Sequence, residues 1–267
     1  MSTLPSVWKN WVVKSLLQGQ QAGQIASTLL NNGFMLEDCQ QLLGSSLGDV
    51  SAVVRNKDYY INLAHPQLID HLHQYNGVVI EQDRAQIYGI AQFLSLQECD
   101  DIIEIAKSQL RASTISAKSG YEGFRTSTTC DLSEMEHPLV KSLEKRIIDC
   151  LGLKVGTREM MQAQHYAPGQ QFKTHTDYFE PGAEEYRQHA SERGQRSWTF
   201  MLYLNHCEEG GETEFTDLGL KFKPVTGSAL IWNNLLPSGH PNPLTAHRSH
   251  PVISGEKVII TKWFRDR

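Results

Sequence analysis

From about residue 160 onward the chain is a succession of short β-prone segments separated by turn residues. Many short strands with glycine, proline or asparagine between them are typical of an all-β sandwich or barrel. Residues 198–204 are nearly continuous in apolar character, so we expect them to form a central strand. The predicted strands are residues 160–166, 196–204, 213–215, 220–222, 228–232 and 258–264.

Two amphipathic helices are predicted in front of these strands, over residues 96–110 and 137–151. Their apolar residues recur at intervals of three and four, which places them on one helix face. Ser95 and Glu98 have the spacing of a capping box at the start of the first helix. The fold class predicted for this part of the chain is therefore α+β.

The N-terminal part is predicted to be helical, with short helices over residues 6–18, 22–31 and 36–43. Residues 52–63 are β-prone, residues 67–75 form a short helical run, and residues 77–81 resemble a first strand. We therefore place a boundary between a helical region, 1–76, and a larger domain, 77–267. The helical region is either a module for docking a partner or substrate, or a cap on the main domain. Its small size favours the cap.

Composition excludes several classes of protein. The net charge of −5 and the absence of any Lys/Arg run argue against binding to nucleic acid. No apolar run approaches the roughly 18 residues of a membrane span, and the N-terminus does not resemble a signal peptide. The cysteines are scattered without a C-x-x-C pair, so we expect reduced thiols in a soluble, cytoplasmic protein. These cysteines are Cys39, Cys99, Cys130, Cys150 and Cys207.

The triplet His175-Thr176-Asp177 is the first candidate for a metal site. On a strand, side chains at i and i+2 leave the same face, so the imidazole and the carboxylate could share one metal ion. An iron site with two histidines and one carboxylate needs another histidine from a distant strand. His206 lies close to a presumed turn and His240 lies in a Pro/Gly-rich connection.

His247 and His250 remain as candidates for that third ligand. An oxygenase that uses 2-oxoglutarate must also neutralise the distal carboxylate of this cosubstrate with a buried Lys or Arg. Lys257 follows His247 by ten residues, with a turn at Ser254-Gly255 that can bring it back toward the same pocket. This spacing favours His247, with His250 in reserve.

The order and spacing of these residues resemble the catalytic domain of the prolyl 4-hydroxylase α-subunit family of iron(II)/2-oxoglutarate dioxygenases. The resemblance covers roughly residues 85–267 and implies a double-stranded β-helix, or jelly roll. The matching motifs are His175-x-Asp177, Arg196-x-x-Thr199-x-x-x-Tyr203-Leu204-Asn205, Gly210-Gly211-Glu212-Thr213-x-Phe215, Pro224-x-x-Gly227-x-Ala229, His247-x-x-x-Pro251-Val252-x-x-Gly255-x-Lys257 and Lys262-Trp263.

The resemblance implies a role for each residue that matches the family. The implied iron ligands are His175, Asp177 and His247, and Lys257 would bind the distal carboxylate of 2-oxoglutarate. Tyr166 and Thr213 match positions that hydrogen-bond the same cosubstrate. The positions that line the peptide groove are Arg196, Arg125 and Trp263. Phe172 is a departure, because the family usually has tyrosine there.

The implied activity is hydroxylation of a peptidyl proline in a cytosolic protein, with succinate and CO₂ as co-products. The implied cofactors are Fe²⁺, 2-oxoglutarate and O₂, with ascorbate as reductant. One alternative keeps these cofactors but takes a free amino acid, another small metabolite or an alkylated base. A second is a metal-binding interaction module without turnover. Two long polar segments, 111–129 and 179–195, could close over a substrate as lids.

Overall fold

The structure is a computed structural model that describes residues 4–47, 57–113, 123–153 and 159–266. Within these ranges, none of the helices combines the length and the apolar character that crossing a membrane would require.

The N-terminal helices match the prediction closely. They are α1 (Ser6–Leu17), α2 (Ala22–Asn31) and α3 (Leu36–Leu43), followed by a 3-10 turn, Gly44–Leu47. We call residues 4–47 the N-terminal unit. Its helices share an apolar cluster that includes Ile25 and Leu29, both fully buried. The predicted boundary between residues 76 and 77 stays a prediction.

The prediction for residues 52–63 was wrong where the structure describes them. Residues 57–63 form helix α4 (Lys57–Leu63), whereas residues 52–56 lie outside the described ranges. Tyr60 and Leu63 are three residues apart and both pack into the main core, so tertiary packing overrides the local β-propensity. The next helix is α5 (Gln67–His71), which continues into a 3-10 turn, Leu72–Tyr75.

Helices α6 (Leu96–Lys107) and α7 (Pro138–Leu151) lie where they were predicted, although α6 ends three residues earlier than expected. The capping box at Ser95 is confirmed, since the Ser95 hydroxyl accepts from the Glu98 N–H and the Glu98 carboxylate accepts from the Ser95 N–H. The last α-helix of the described chain, α8 (Glu184–His189), is short and lies in the second of the two segments predicted to be lids.

Fourteen strands build the rest of the described chain. The larger sheet has eight strands in the order β1-β2-β11-β7-β14-β5-β4-β3, and the smaller has four in the order β10-β9-β12-β6. Strands β8 and β13 form a separate pair. The strands are β1 (Gly77–Glu81), β2 (Ile87–Ile90), β3 (Arg111–Ala112), β4 (Thr128–Asp131), β5 (Gln162–Tyr166), β6 (Phe172–His175), β7 (Arg196–Tyr203), β8 (Glu209–Gly210), β9 (Thr213–Phe215), β10 (Leu220–Phe222), β11 (Ala229–Asn233), β12 (His247–Ser249), β13 (Val252–Ser254) and β14 (Lys257–Arg265).

The central strand β7 is buried on both faces, which explains its continuous apolar sequence. Phe200 and Leu202 pack into the cluster that contains helices α6 and α7. The alternate residues Met201 and Tyr203 pack into a second cluster together with Phe215 of the smaller sheet. The expected architecture, a jelly roll with flanking helices, is confirmed.

All five cysteines are free and buried. Burial is the main cause that raises the pKa of each thiol above its ordinary value, to about 12 at Cys39 and Cys150 and to about 11 at Cys99. The pKa values of the Cys130 and Cys207 thiols are raised in the same direction. The cysteines therefore act as small apolar residues of the core.

Candidate metal centre and cosubstrate pocket

Pairing of β6 with β12 brings two histidines together. His175 ends β6 and His247 begins β12, and the two residues are partners in the antiparallel ladder. Their ring centroids lie 4.3 Å apart. The two imidazoles therefore face one point at the end of the smaller sheet.

Asp177 reaches the same point from outside the strand. Strand β6 ends at His175, so the expected i, i+2 arrangement on one strand is wrong, and Asp177 lies in the bend that follows. Its Oδ1 atom is still 3.9 Å from Nε2 of His175. Among the described residues, His175, Asp177 and His247 form a group whose candidate ligand atoms all lie within 4.8 Å of one another.

Backbone carbonyls orient both imidazole rings. Nδ1 of His175 donates to the Lys173 carbonyl at 2.8 Å, and Nδ1 of His247 donates to the Thr245 carbonyl at 2.9 Å. A proton held on Nδ1 leaves the Nε2 lone pair free to bind a metal ion. Burial, followed by the neighbouring His247, lowers the pKa of His175 to about 3, so this ring is neutral at pH 7.

A hydrogen-bond chain holds the carboxylate of Asp177. The Thr199 hydroxyl donates to Asp177 Oδ2 at 2.7 Å, the Asn234 amide donates to Thr199 Oγ1 at 2.9 Å, and the Trp232 indole donates to Asn234 Oδ1 at 2.9 Å. All four residues are buried. Burial raises the pKa of Asp177, but His247, His175 and the bond from Thr199 outweigh it, so the net pKa is lowered. The chain leaves Oδ1 free for a metal ion.

Sequence reasoning missed Asn234 and Trp232 as parts of the site. Thr199 stood in a family motif, whereas Asn234 read only as a turn residue and Trp232 only as a strand residue. Nothing in their local pattern points to a carboxylate 55 or more positions earlier in the chain.

The other candidate histidines lie elsewhere. Nε2 of the reserve candidate His250 is 2.6 Å from Oε2 of Glu214, which Arg248 also contacts. His240 pairs with Asp38 at 2.9 Å, and His206 hydrogen-bonds the carbonyl of Pro224. The structure therefore groups His247, and not these three, with His175 and Asp177.

Lys257 lies in a cavity that leads away from the three candidate ligands. The cavity is bordered by His175, Asp177 and His247 at the metal-facing end and by Lys257, Thr213 and Ser249 at the other. The Lys257 ammonium donates to Ser249 Oγ at 2.8 Å and lies 3.4 Å from Thr213 Oγ1, and its side chain is fully buried. Such an ammonium, held by two hydroxyls, fits a carboxylate of a bound ligand.

Tyr166 borders the same cavity and is almost completely buried. Its hydroxyl donates to Gln164 Oε1 at 2.9 Å, and the Gln164 amide donates to Thr261 Oγ1 at 3.1 Å. The hydroxyl is thus already engaged within the protein. The predicted roles of Tyr166 and Thr213 as cosubstrate contacts stay predictions.

We expect 2-oxoglutarate binding to weaken as the pH rises above about 7. Burial lowers the pKa of Lys257 from 10.5 to about 7, with Cys207 and Glu212 opposing it. Only the protonated amine pairs with a carboxylate. The affinity for 2-oxoglutarate is therefore highest below this pH and falls up to about tenfold for each pH unit above it. Calorimetric titration between pH 6.5 and 9 at saturating metal, in buffers of different ionisation enthalpy, measures both the affinity and the proton taken up.

Lys257→Arg is the matched control for this pH dependence, because a guanidinium stays charged over the same range. Its dissociation constant for 2-oxoglutarate should be nearly flat between pH 7 and 9. A flat profile for the native protein would place the lysine away from the carboxylate.

A second, larger cavity of about 500 Å³ opens in front of the candidate metal ligands. His175 and Asp177 lie at its base, and its walls include Arg125, Phe172 and Trp263. The Phe172 ring is stacked on the His175 imidazole, with centroids 3.5 Å apart and planes inclined by 14°. The Phe172 ring thus covers one face of a candidate ligand.

Arg196 is held by an ion pair inside the protein. Its Nε and Nη2 donate to the two carboxylate oxygens of Glu159 at 2.6 and 2.7 Å, and its guanidinium lies 4.0 Å from the centroid of the Trp263 ring. Burial lowers the pKa of Arg196, but the neighbouring Glu159 carboxylate raises it by more, so the pKa of Arg196 lies above its ordinary value. Arg196 therefore supports the cavity wall, and its contact with a substrate stays a prediction.

Arg125 and Trp263 differ in how they meet the cavity. The Arg125 guanidinium lies 5.0 Å from the Phe172 ring centroid and donates to the hydroxyls of Ser127 and Thr129. Trp263 borders both cavities, and its buried indole N–H has no acceptor among the described residues. Both residues lie where a substrate could touch them, and that role also stays a prediction.

The two segments predicted to be lids differ in what the structure describes. Residues 114–122 of the first lie outside the described ranges. The second contains α8 and two buried aromatic side chains, Phe179 and Tyr186. Phe179, Glu180, Glu185 and His189 border the 500 Å³ cavity. The second segment is thus a structured wall of this cavity.

Two histidines and one carboxylate on one side of a metal ion are the ligand set of non-haem iron(II) oxygenases. Bound there, iron would offer open coordination positions to 2-oxoglutarate and dioxygen. Together with the jelly roll and a buried lysine in the adjoining cavity, this ligand set defines the class of iron(II)- and 2-oxoglutarate-dependent oxygenases.

Comparison with known proteins identifies the family within this class. The family model of the 2OG-Fe(II) oxygenase superfamily matches residues 161–265. The chain is 32% identical over 213 residues to probable prolyl 4-hydroxylase 3 of Arabidopsis thaliana, a match that covers 71% of this chain and 72% of that protein. The chain belongs to the prolyl 4-hydroxylase-like family of 2-oxoglutarate- and iron(II)-dependent oxygenases.

Two further similarities show how far this relation extends. Prolyl 4-hydroxylase subunit alpha-1 of Gallus gallus is 32% identical over 194 residues, which cover 70% of this chain but only 37% of that subunit. The crystal structure of the viral collagen prolyl hydroxylase from Paramecium bursaria Chlorella virus-1, a 2-oxoglutarate complex, matches with a TM-score of 0.53 and 28% identity. That match covers 66% of this chain and 94% of the viral protein.

Proposed function

We propose that this protein hydroxylates a proline residue in a cytosolic protein or peptide. The reaction consumes 2-oxoglutarate and O₂ and releases succinate and CO₂, so that one oxygen atom enters the substrate and one enters succinate. His175, Asp177 and His247 hold the iron, and Lys257 binds the distal carboxylate of 2-oxoglutarate. Ascorbate serves as the reductant that keeps the iron in the ferrous state.

The observation that carries the proposal is the position of the three candidate ligands between two cavities. The inner cavity ends at Lys257, which suits a dicarboxylic cosubstrate. The outer one is open, measures about 500 Å³ and has Phe172, Phe179 and Trp263 in its walls. Aromatic walls suit a proline ring within an extended peptide.

The cysteines support the cellular setting, and the relatives support the substrate class. The five cysteines are free thiols, as in proteins of a reducing compartment. Relatives named as prolyl 4-hydroxylases are similar to this chain over about 70% of its length. A free amino acid would fill only a small part of the outer cavity, which makes a small metabolite the second choice.

The test supplies purified protein with ferrous iron, ascorbate and 2-oxoglutarate, and measures succinate with and without a panel of proline-containing peptides. We expect peptide-stimulated succinate and a peptide mass gain of one oxygen atom, located on proline by fragmentation. His175→Ala serves as the inactive control. Stimulation only by small metabolites would contradict the proposal in favour of the second choice, and no succinate under any condition would favour an interaction module.

A further inference from the structure

We propose that the N-terminal unit, residues 4–47, positions one wall of the substrate cavity. The wall segment is residues 179–190, which carries Phe179, Glu180, Glu185 and His189 at the cavity surface. The kinetic test of this inference rests on the proposed function. Its structural test, the rate of trypsin cleavage, does not depend on any activity.

The two ends of the wall segment are fixed by Gln195 and Arg265, which lie next to and in the larger sheet. The side-chain oxygen of Gln195 accepts from the N–H of Phe179 at 2.8 Å, and its side-chain nitrogen donates to the carbonyl of Phe179 at 2.5 Å. Nη1 of Arg265 donates to the carbonyl of His189 at 3.0 Å and to that of Gly194 at 2.6 Å. These bonds hold the segment where it leaves the core and where it returns.

The middle of the segment rests on the N-terminal unit. The backbone N–H of Gly182 donates to the carbonyl of Asn32 at 2.9 Å. The Trp8 indole and the Phe34 ring lie directly against Gly182, and the Tyr186 ring lies directly against Gly33. Tyr186 is 4% exposed, and with Phe179 and Ala190 it forms an apolar cluster separate from the main core. The helix within the segment therefore depends on these contacts for its burial.

A second contact ties the N-terminal unit to the metal-binding side of the domain. The buried Asp38 carboxylate of α3 lies 2.9 Å from Nε2 of His240, in the connection that leads to β12. Gly239, next to His240, lies against Met35 and Tyr60. The unit thus spans from the wall segment to the connection before His247, which fixes its orientation relative to the cavity.

Two glycines allow a matched experiment. A Cβ atom at Gly33, whose φ is +88°, would overlap the Tyr186 ring. Gly19 has a similar φ of +79° in the same unit, but a Cβ atom there would meet nothing within 4 Å. Gly33→Ala and Gly19→Ala therefore impose similar backbone strain, and only the first also pushes against the wall segment.

Limited trypsin digestion measures how often the wall segment opens, because trypsin cleaves after arginine. Arg187 is exposed within the segment and Arg193 is exposed just after it. We expect Gly33→Ala to be cleaved at these arginines about tenfold faster than the native protein, since cleavage follows the open fraction. In turnover assays its KM for peptide should rise about tenfold. Its kcat and its peptide-independent consumption of 2-oxoglutarate should stay within about twofold, and Gly19→Ala should match the native protein in all readouts.

The inference would be overturned if Gly33→Ala had the same cleavage rate and the same KM for peptide as the native protein. It would also be overturned if Gly19→Ala showed the faster cleavage and the higher KM expected of Gly33→Ala. If Gly33→Ala does not fold, Trp8→Ala removes the contact with Gly182 without backbone strain and is held to the same criteria. If no peptide is ever turned over, the proposed function fails, while the cleavage rates still decide whether the N-terminal unit holds the wall segment.

Discussion

Replacing His247 by alanine is expected to abolish iron binding and all succinate formation. The change leaves only two of the three candidate ligands, His175 and Asp177. Two protein ligands are too few to hold a ferrous ion in competition with water. Changes to groups that merely orient a ligand cost about 10–100-fold in metal affinity, so loss of the ligand itself should exceed 100-fold. Anaerobic titration with ferrous iron, followed by metal analysis after desalting, measures this loss.

His250→Ala is the control, because its imidazole pairs with Glu214 and does not belong to the group of candidate metal ligands. This variant should bind iron with native affinity and keep its turnover. The His247 ring also packs against Phe215 and Trp232, so circular dichroism must show that the His247 variant is folded. The opposite pattern, with iron lost in the His250 variant alone, would transfer the ligand role to that residue.

Lys257→Met is expected to weaken 2-oxoglutarate binding by about 3 kcal/mol, on the order of 100-fold, while iron binding is unchanged. A buried carboxylate left without its charged partner costs about 2–5 kcal/mol. Methionine has a similar length and no charge, so it removes the ammonium without opening a large hole. Titration of the iron-loaded protein with 2-oxoglutarate under anaerobic conditions gives the dissociation constant.

The same variant should unfold at a higher temperature than the native protein without cosubstrate. The ammonium of Lys257 is fully buried and faces hydroxyls rather than a carboxylate, so its charged form destabilises the fold at pH 6. Replacing a buried charge by an apolar side chain of similar volume often stabilises by about 1–4 kcal/mol. Loss of affinity together with gain of stability is specific to a functional lysine. An unchanged affinity for 2-oxoglutarate would exclude Lys257 from the cosubstrate pocket.

Features that depend on local periodicity could be predicted from the amino-acid sequence. The helices of the N-terminal unit and the capping box at Ser95 follow from spacing, and the buried strand β7 follows from its nearly continuous apolar sequence. The grouping of His175, Asp177 and His247 was predicted from their order and confirmed as a geometry. Their function as iron ligands is what the His247 experiment tests.

Features that depend on contacts between distant residues could not be predicted. The chain from Trp232 through Asn234 and Thr199 to Asp177 joins residues of two strands, β11 and β7, and of two bends, and none of its members shows a local pattern. Residues 57–63 formed a helix against their propensity because Tyr60 and Leu63 reach the main core. The contact of Gly33 with Tyr186 likewise exists only after two distant segments pack together.

The buried thiols have a consequence for how such a protein ages. Iron held by the candidate ligands would supply oxidising chemistry, and any peroxide released would attack the thiolate form of cysteine. Because burial keeps all five cysteines protonated and out of contact with solvent, they resist this by-product. Met160 is 45% exposed and adjoins Glu159, the partner of Arg196, so sulfoxide formation should begin there.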